Sequence, residues 1–332
     1  MIEGVIITVL DTFLLLFLVN KGIRKMEAFI IVLGLIIGVS FVFEMFFAQP
    51  ELDKVLYGLI PSMPNETALY IAIGIIGATV MPHNLYLHSS LVQTRKFDRT
   101  PQGIKQAIKY NFIDSTIALN LAFLVNAAIL ILAAATFYKS GMYEVAEIQD
   151  AHKFLAPLLG TKWAPILFAV ALIAAGQSST VTGTLAGQIV MEGYLNLRIQ
   201  PWVRRIITRL IAIVPAVIVI SIFGEGVTGK LLILSQVILS LQLGFAIIPL
   251  IHFVSDKSKM KGFHISRLTQ IAGWTIALII VSLNVKLVYD EIGNWIKISE
   301  NPIVLWLTVV PLAVSFLILL LYIVVKPFIS KS

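Results

Sequence analysis

Apolar residues in this chain gather into long stretches that recur from one end to the other, each close to or above the roughly 20 residues a helix needs to cross a bilayer. The pattern predicts spans at 2–19, 28–48, 68–93, 110–137, 164–188, 206–223, 230–254, 267–289 and 302–325, the first being the shortest. Polar connections separate them. The longest runs from Gln49 to Thr67 and carries Pro50, Pro61 and Pro64, as expected of a crossover loop outside the lipid. No soluble domain interrupts the array, and no short-period repeat or low-complexity tract is present. The expected fold class is an all-α integral membrane protein, one polytopic domain covering 1–332.

Composition strengthens this reading. Of 332 residues, 58% are hydrophobic and 13% charged, and the mean hydropathy is +0.93, more apolar than a soluble domain tolerates. Cysteine is absent, which excludes a disulfide framework and any thiolate metal cluster. The formal charge of +7 is distributed by loop. One set of connections holds Lys21, Arg24 and Lys25, then Arg95, Lys96, Arg99, Lys105 and Lys109, then Arg198, Arg204, Arg205 and Arg209, then Lys257, Lys259, Lys261 and Arg267, and finally Lys326 and Lys331. The alternate set holds Glu51, Asp53, Glu66, Glu144, Glu147, Asp150, Glu225, Asp290, Glu291 and Glu300. The positive-inside rule puts the basic loops and the C-terminus in the cytoplasm of a multi-pass cell-membrane protein. The basic excess is therefore topological, and no nucleic-acid partner is inferred from it. Nine spans ending inside start outside, which suits a chain whose first helices are missing.

The span at 68–93 contains Met81-Pro82-His83-Asn84. Pro82 has no N–H and its ring crowds the carbonyl of Ala78, four residues back, so a break with a freed backbone oxygen is expected there. Polar backbone at membrane depth is tolerated where it is packed by protein or lines a cavity. A thioether beside a free carbonyl suits Mn²⁺, Fe²⁺, Co²⁺ or Cd²⁺ better than Ca²⁺ or Mg²⁺. Met81 is also an ordinary core residue type, and prolines are common in membrane helices. His83 and His88 are five apart, about 140° around a helix, and do not form a zinc pair on one face. An imidazole beside a cation site is suited to proton transfer.

Other polar side chains fall inside predicted spans. Ser235, Gln236, Ser240 and Gln242 lie within 231–245, with Gln236 and Ser240 one turn apart; a glutamine oxygen can ligate a cation, and equally it can bond a neighbouring helix. Gly183 and Gly187 suggest a close-packing face, with Gln177 or Thr180 as alternatives for lining a cavity. Asp11, Glu44, Asp114 and Glu192 are carboxylates in or near spans. Glu44 and Glu192 are expected at membrane interfaces, and Asp114 near Asn111 and Ser115 is expected to pair internally.

These residues resemble the Nramp (natural resistance-associated macrophage protein) divalent metal transporters. Met81-Pro82-His83-Asn84-Leu85-Tyr86-Leu87-His88-Ser89 is similar to the family's sixth-helix signature, and Gly176-Gln177-Ser178-Ser179-Thr180 through Thr182-Gly183-Thr184 to its eighth. Ser235-Gln236-Val237 with Leu239-Ser240-Leu241-Gln242-Leu243 is similar to the tenth. Asp11-Thr12-Phe13 and Arg24-Lys25-Met26-Glu27-Ala28 resemble the fourth helix and the loop after it.

The resemblance implies a LeuT-like inverted-repeat fold and proton-coupled import of divalent transition metals such as Mn²⁺ and Fe²⁺, with no enzymatic step and no resident cofactor. It implies Met81, the Ala78 backbone carbonyl and Gln236 as metal ligands, and His83 and His88 in proton coupling. The expected partners are the metal cations, protons and the lipid bilayer, with no obligate protein partner inferred. The family's first-helix Asp-Pro-Gly-Asn motif is absent from these 332 residues, so the chain reads as starting at the fourth helix. A dication held by neutral ligands alone is poorly compensated for its lost water, and weak metal binding with impaired transport is expected of this chain. A sodium-coupled symporter of organic solutes on the same fold, or an inert structural fragment, is the alternative.

Overall fold

A computed structural model describes residues 23–62, 65–143, 145, 147–195, 228–299 and 301–329, together with isolated positions between 203 and 226. The described residues form helices and no strand. In chain order these are α1 (Ile23–Ala48), α2 (Leu52–Tyr57), α3 (Glu66–Val80), α4 (Pro82–Gln93), α5 (Pro101–Ala133), α6 (Ile148–Leu159), α7 (Trp163–Leu195), α8 (Thr228–Ser255), α9 (Lys257–Met260), α10 (Arg267–Ile298) and α11 (Pro302–Ile329). A π-helical turn, Ala134–Tyr138, continues α5.

Seven helical segments among the described residues are long and apolar enough to cross a membrane: Arg24–Ala48, Glu66–Gln93, Pro101–Tyr138, Trp163–Met191, Thr228–Ser255, Arg267–Lys297 and Pro302–Pro327. Each overlaps one predicted span. The predicted span 2–19 lies outside the described residues, and 206–223 is represented by isolated positions only. Several helices run past their predicted ends. The helix expected at 110–137 begins at Pro101, because Thr100 accepts the Gly103 N–H at 3.2 Å and Pro101 occupies the first turn, so the start is set by a cap rather than by hydropathy. Asn65 caps α3 by accepting the Ala68 N–H at 2.8 Å, and Ser266 caps α10 through Thr269 at 3.2 Å. The outward faces carry large apolar side chains, Leu307 on α11 and Phe112 on α5 among them, a surface that lipid rather than water would solvate.

Contacts group the helices into two compact units, one within Met1–Pro61 and Ser89–Lys230 and the other within Ser62–His88 and Leu231–Ser332. In the first, α1 and α7 run antiparallel. Met26 packs with Val181 and Leu185 near one end, and Phe41 with Ala171, Phe168 and Leu132 of α5 near the other. Small residues at Ala164, Ala171 and Ala174 are buried on α7 and admit this close approach. In the second unit Leu69 and Ile73 of α3, Val237 of α8 and Leu287 of α10 form a core with Tyr70, Ile233 and Leu283 around it.

Candidate metal site

The predicted span at 68–93 is broken at Met81. Helix α3 ends at Val80 and α4 begins at Pro82, and Met81 between them has φ 41° and ψ 108°. Proline alone does not produce this, since Pro157, Pro249, Pro311 and Pro327 all lie inside continuous helices. A positive φ at a residue with a side chain costs on the order of 1–3 kcal/mol and persists only where surrounding structure enforces it.

The break leaves specific oxygens open. The helical donor for the Ala78 carbonyl would be residue 82, a proline with no N–H, and the Met81 N–H goes to Gly77 O at 3.2 Å. The Asn84 N–H, which would serve Val80, goes instead to Met81 O at 3.0 Å. The Asn84 side chain also donates from Nδ2 to the Met81 sulfur at 3.6 Å. That contact steers the thioether, and sequence reasoning assigned Asn84 no such role.

Gln236 is brought to this region by two glycines. A Cβ at Gly74 would rest in ordinary contact with Ile233 Cγ2 at 3.5 Å and Val237 Cγ2 at 3.6 Å. A Cβ at Gly77 would collide with the Gln236 backbone carbonyl and stand 2.9 Å from Ser240 N. The backbones of α3 and α8 therefore cross in direct contact one turn before the break. The Gln236 Oε1 atom is buried without a hydrogen-bond partner, an acceptor left open. Behind it Ser240 is fully buried and accepts from Asn284 Nδ2 of α10 at 3.2 Å, the same amide also reaching Ser240 O at 3.3 Å. Ser235 spends its hydroxyl on Leu232 O of its own helix, and Gln242 is exposed.

The break, the Ala78 carbonyl, Met81 and Gln236 thus belong to one unit, with His83 partly buried one residue past Pro82. His88 lies further along α4 and is exposed. No group of three or more His, Cys, Asp or Glu side chains that could hold a metal ion occurs among the described residues. The candidate ligand atoms in this unit are a sulfur, a backbone oxygen and an amide oxygen, all neutral acceptors.

The remaining polar positions fall elsewhere. Asp114 pairs with Arg95 at 3.2 Å, both exposed, rather than with Asn111 or Ser115. Gly183 has open space at its Cβ position, so the close packing expected there is not present. Gln177 Oε1 is buried without a partner in the other unit. Glu44, expected at a membrane interface, is completely buried. Asp11 and the Glu192 side chain lie outside the described residues. At the end of α1, Glu51 bonds Lys139 and Lys54, each at 2.7 Å, and those two ammonium groups, Lys139 first, hold its carboxyl down at about 2.

The family model for Natural resistance-associated macrophage protein-like (Nramp) proteins matches residues 1–290. The chain belongs to the Nramp family. This Nramp chain is 54% identical over 292 residues to the divalent metal cation transporter MntH of Listeria innocua, a match covering 87% of the chain and 65% of the relative. It is 55% identical over 296 residues to the protein of that name from Mesorhizobium japonicum, covering 88% and 65%. The chain therefore spans just under two thirds of the length of these curated relatives. Among solved structures it is similar to the Eremococcus coleocola manganese transporter, crystallised with an aromatic bis-isothiourea substituted compound, at 35% identity and a TM-score of 0.84 over 99% of this chain and 72% of the other. The fold is thus the LeuT-like one of bacterial Nramp proteins, a multi-pass membrane fold of a transporter family rather than of enzymes.

Proposed function

We propose that this Nramp chain belongs to a system for proton-coupled import of divalent transition-metal ions such as Mn²⁺ and Fe²⁺ across the cell membrane. Met81 Sδ, the Ala78 carbonyl and Gln236 Oε1 contact the ion, His83 and His88 take part in proton movement, and the C-terminus is cytoplasmic. The observation that carries the reading is the break at Met81, where a carbonyl without its helical donor lies on a helix whose backbone packs against the main chain of Gln236, a residue whose side-chain oxygen is buried and open. The three proposed ligand atoms, a thioether sulfur, a main-chain carbonyl and an amide oxygen, are acceptors, which suits a cation rather than the carboxylate of an organic substrate. The thioether adds a preference for softer ions. Closely similar proteins named as divalent metal cation transporters support the same assignment.

The donor set in this chain carries no charge, so its own affinity for a dication is expected to be weak. The test is Mn²⁺ uptake into proteoliposomes, with and without a pH gradient, on the longest available form. Uptake accelerated by inward-directed protons, with proton co-movement reduced in His83→Ala, is the expected result. Uptake dependent on sodium and indifferent to protons would overturn the assignment. Calorimetric titration of the 332-residue chain that gave one micromolar Mn²⁺ site would overturn the neutral-donor argument.

A further inference from the structure

The most completely enclosed ionisable side chain described in this protein belongs to the compact unit that does not contain the Met81 break. Glu44 has 0% of its surface exposed, and neither carboxyl oxygen has a hydrogen-bond partner. It sits on α1 one turn after Ser40, itself 3% exposed, on the part of the helix where Phe41 packs against Leu132 of α5 and Ala171 of α7. These two helices supply no counter-charge. The α7 stretch from Ala164 to Ala174 and the α5 stretch from Ser115 to Ala133 contain no titratable side chain, and Lys105, Lys109, Tyr110 and Asp114 all belong to the first half of α5. Thr136, buried in the π-helical turn, spends its hydroxyl proton on Leu132 O at 2.6 Å. On α1 itself Arg24, Lys25 and Glu27 are at the far end. Beyond the near end Glu51 pairs with Lys139 and Lys54, Asp150 with Lys153 at 3.5 Å, and Glu147 accepts the Gly229 N–H at 3.2 Å, while Asp53, His152 and Lys162 are exposed.

A carboxylate in packed apolar surroundings, with neither a cation nor a donor, is so disfavoured that the group takes up a proton instead. We propose that Glu44 is a proton-binding site in its own right, separate from the Met81 break, held as the neutral acid while α1, α5 and α7 are packed and exchanging its proton with water at the Ala48 end of α1. The route is short. Glu44 is four residues from the end of the helix, about 6 Å along its axis at ~1.5 Å per residue. Immediately beyond lies the Glu51–Lys139 pair, which ties the segment after α1 to the residue following the π-helical turn and is exposed to solvent.

The experiment is infrared spectroscopy of the complete chain in lipid nanodiscs at neutral pH, in H₂O and D₂O, comparing the parent with Glu44→Gln, which keeps shape and removes the acid. The expected result is a carboxylic-acid C=O band that is lost in Glu44→Gln, reappears at a shifted position in Glu44→Asp, and moves down in D₂O. A parent and Glu44→Gln that give the same acid-region spectrum would overturn the proposal. So would a band that ignores D₂O, because the proton would then be sealed in. The readout involves no metal ion, so failure of the transport assignment and failure of this one are separately visible.

Discussion

Replacing Gly77 by alanine tests whether the α3–α8 crossing positions the metal site. The added methyl meets main-chain atoms, the Gln236 carbonyl and Ser240 N at 2.9 Å, and neither can rotate away as a flexible side chain would. Carbon contacts relax only near 3.5–4.0 Å, so the two helices must part by on the order of 1 Å. Overpacking of this kind costs ~1–3 kcal/mol, against which alanine returns up to ~1 kcal/mol of helix propensity. The net expectation is a loss of up to about 2 kcal/mol. Gly74→Ala, one turn earlier, meets methyl groups at 3.5 and 3.6 Å and the Ile233 carbonyl oxygen at 3.8 Å, all ordinary contacts, and is expected to be neutral or slightly stabilising. The functional effect of Gly77→Ala should exceed its effect on stability, because metal–ligand distances tolerate only ~0.2 Å and Gln236 moves with α8. The assay is thermal unfolding in detergent, with and without Mn²⁺ or Cd²⁺, for both variants. Gly77→Ala should melt lower and lose whatever ion-dependent rise the parent shows, and Gly74→Ala should keep it. If Gly77→Ala melts and responds to ions like the parent, the backbone contact does not control the site and the reasoning fails.

Three further outcomes follow from the same geometry. Met81→Ala should weaken Cd²⁺ and Mn²⁺ binding more than Ca²⁺ binding in competition experiments, and equal losses would dismiss sulfur as the source of selectivity. Pro82→Ala supplies an N–H that the Ala78 carbonyl lacks, so the ion response should fall; an unaltered ion response would separate the free carbonyl from binding. Glu51 titrates near 2 rather than in the usual carboxylate range, because Lys139 and Lys54 hold it ionised. Its folded-state value is depressed, so its stabilising contribution is complete above the unfolded value near 4.5 and disappears as pH falls through about 2. A small melting difference between the parent and Glu51→Gln should therefore hold steady from pH 8 to 5 and shrink in acid, as checked by thermal unfolding across that range; a difference that grew in acid would contradict the pairing.

The seven long apolar helices among the described residues fall on stretches that hydropathy marks, because a bilayer imposes length and apolarity on anything that crosses it, and the break could be anticipated because Pro82 lacks the N–H that Ala78 needs. The conformation of Met81 could not. Pro249 and Pro311 have the same covalent chemistry and sit in unbroken helices, so it is the positive φ of the preceding residue that distinguishes Pro82, and φ depends on packing that one sequence does not display. Gln236 was a candidate by residue type, yet Gly77 is what brings its helix into backbone contact with α3. Equally, a Gly-x-x-x-Gly spacing on α7 suggested a contact that is missing at Gly183, since small residues permit close approach without requiring it. Nor could the burial of Glu44 be read from one sequence: its 0% exposure belongs to a part of α1 where Phe41 packs with Leu132 and Ala171, residues far along the chain.

The proposed ligand atoms, the Met81 thioether, the Ala78 carbonyl and the Gln236 amide oxygen, are all neutral acceptors, so under this proposal a dication gains ion–dipole attraction but no compensating negative charge. Soft sulfur can rank ions under those conditions, but it cannot by itself offset their dehydration. Among the described residues the fully buried carboxyl is Glu44, which belongs to the other unit and for which proton binding is the proposed role. Introducing a carboxylate at Gln236 separates these roles. Gln236→Glu keeps nearly the same shape and adds one charge where the amide oxygen is now open, so Mn²⁺ affinity should rise by at least tenfold, equivalent to about 1.4 kcal/mol. An unchanged affinity would mean that Gln236 Oε1 does not reach the ion, and the proposed ligand set would have to be abandoned.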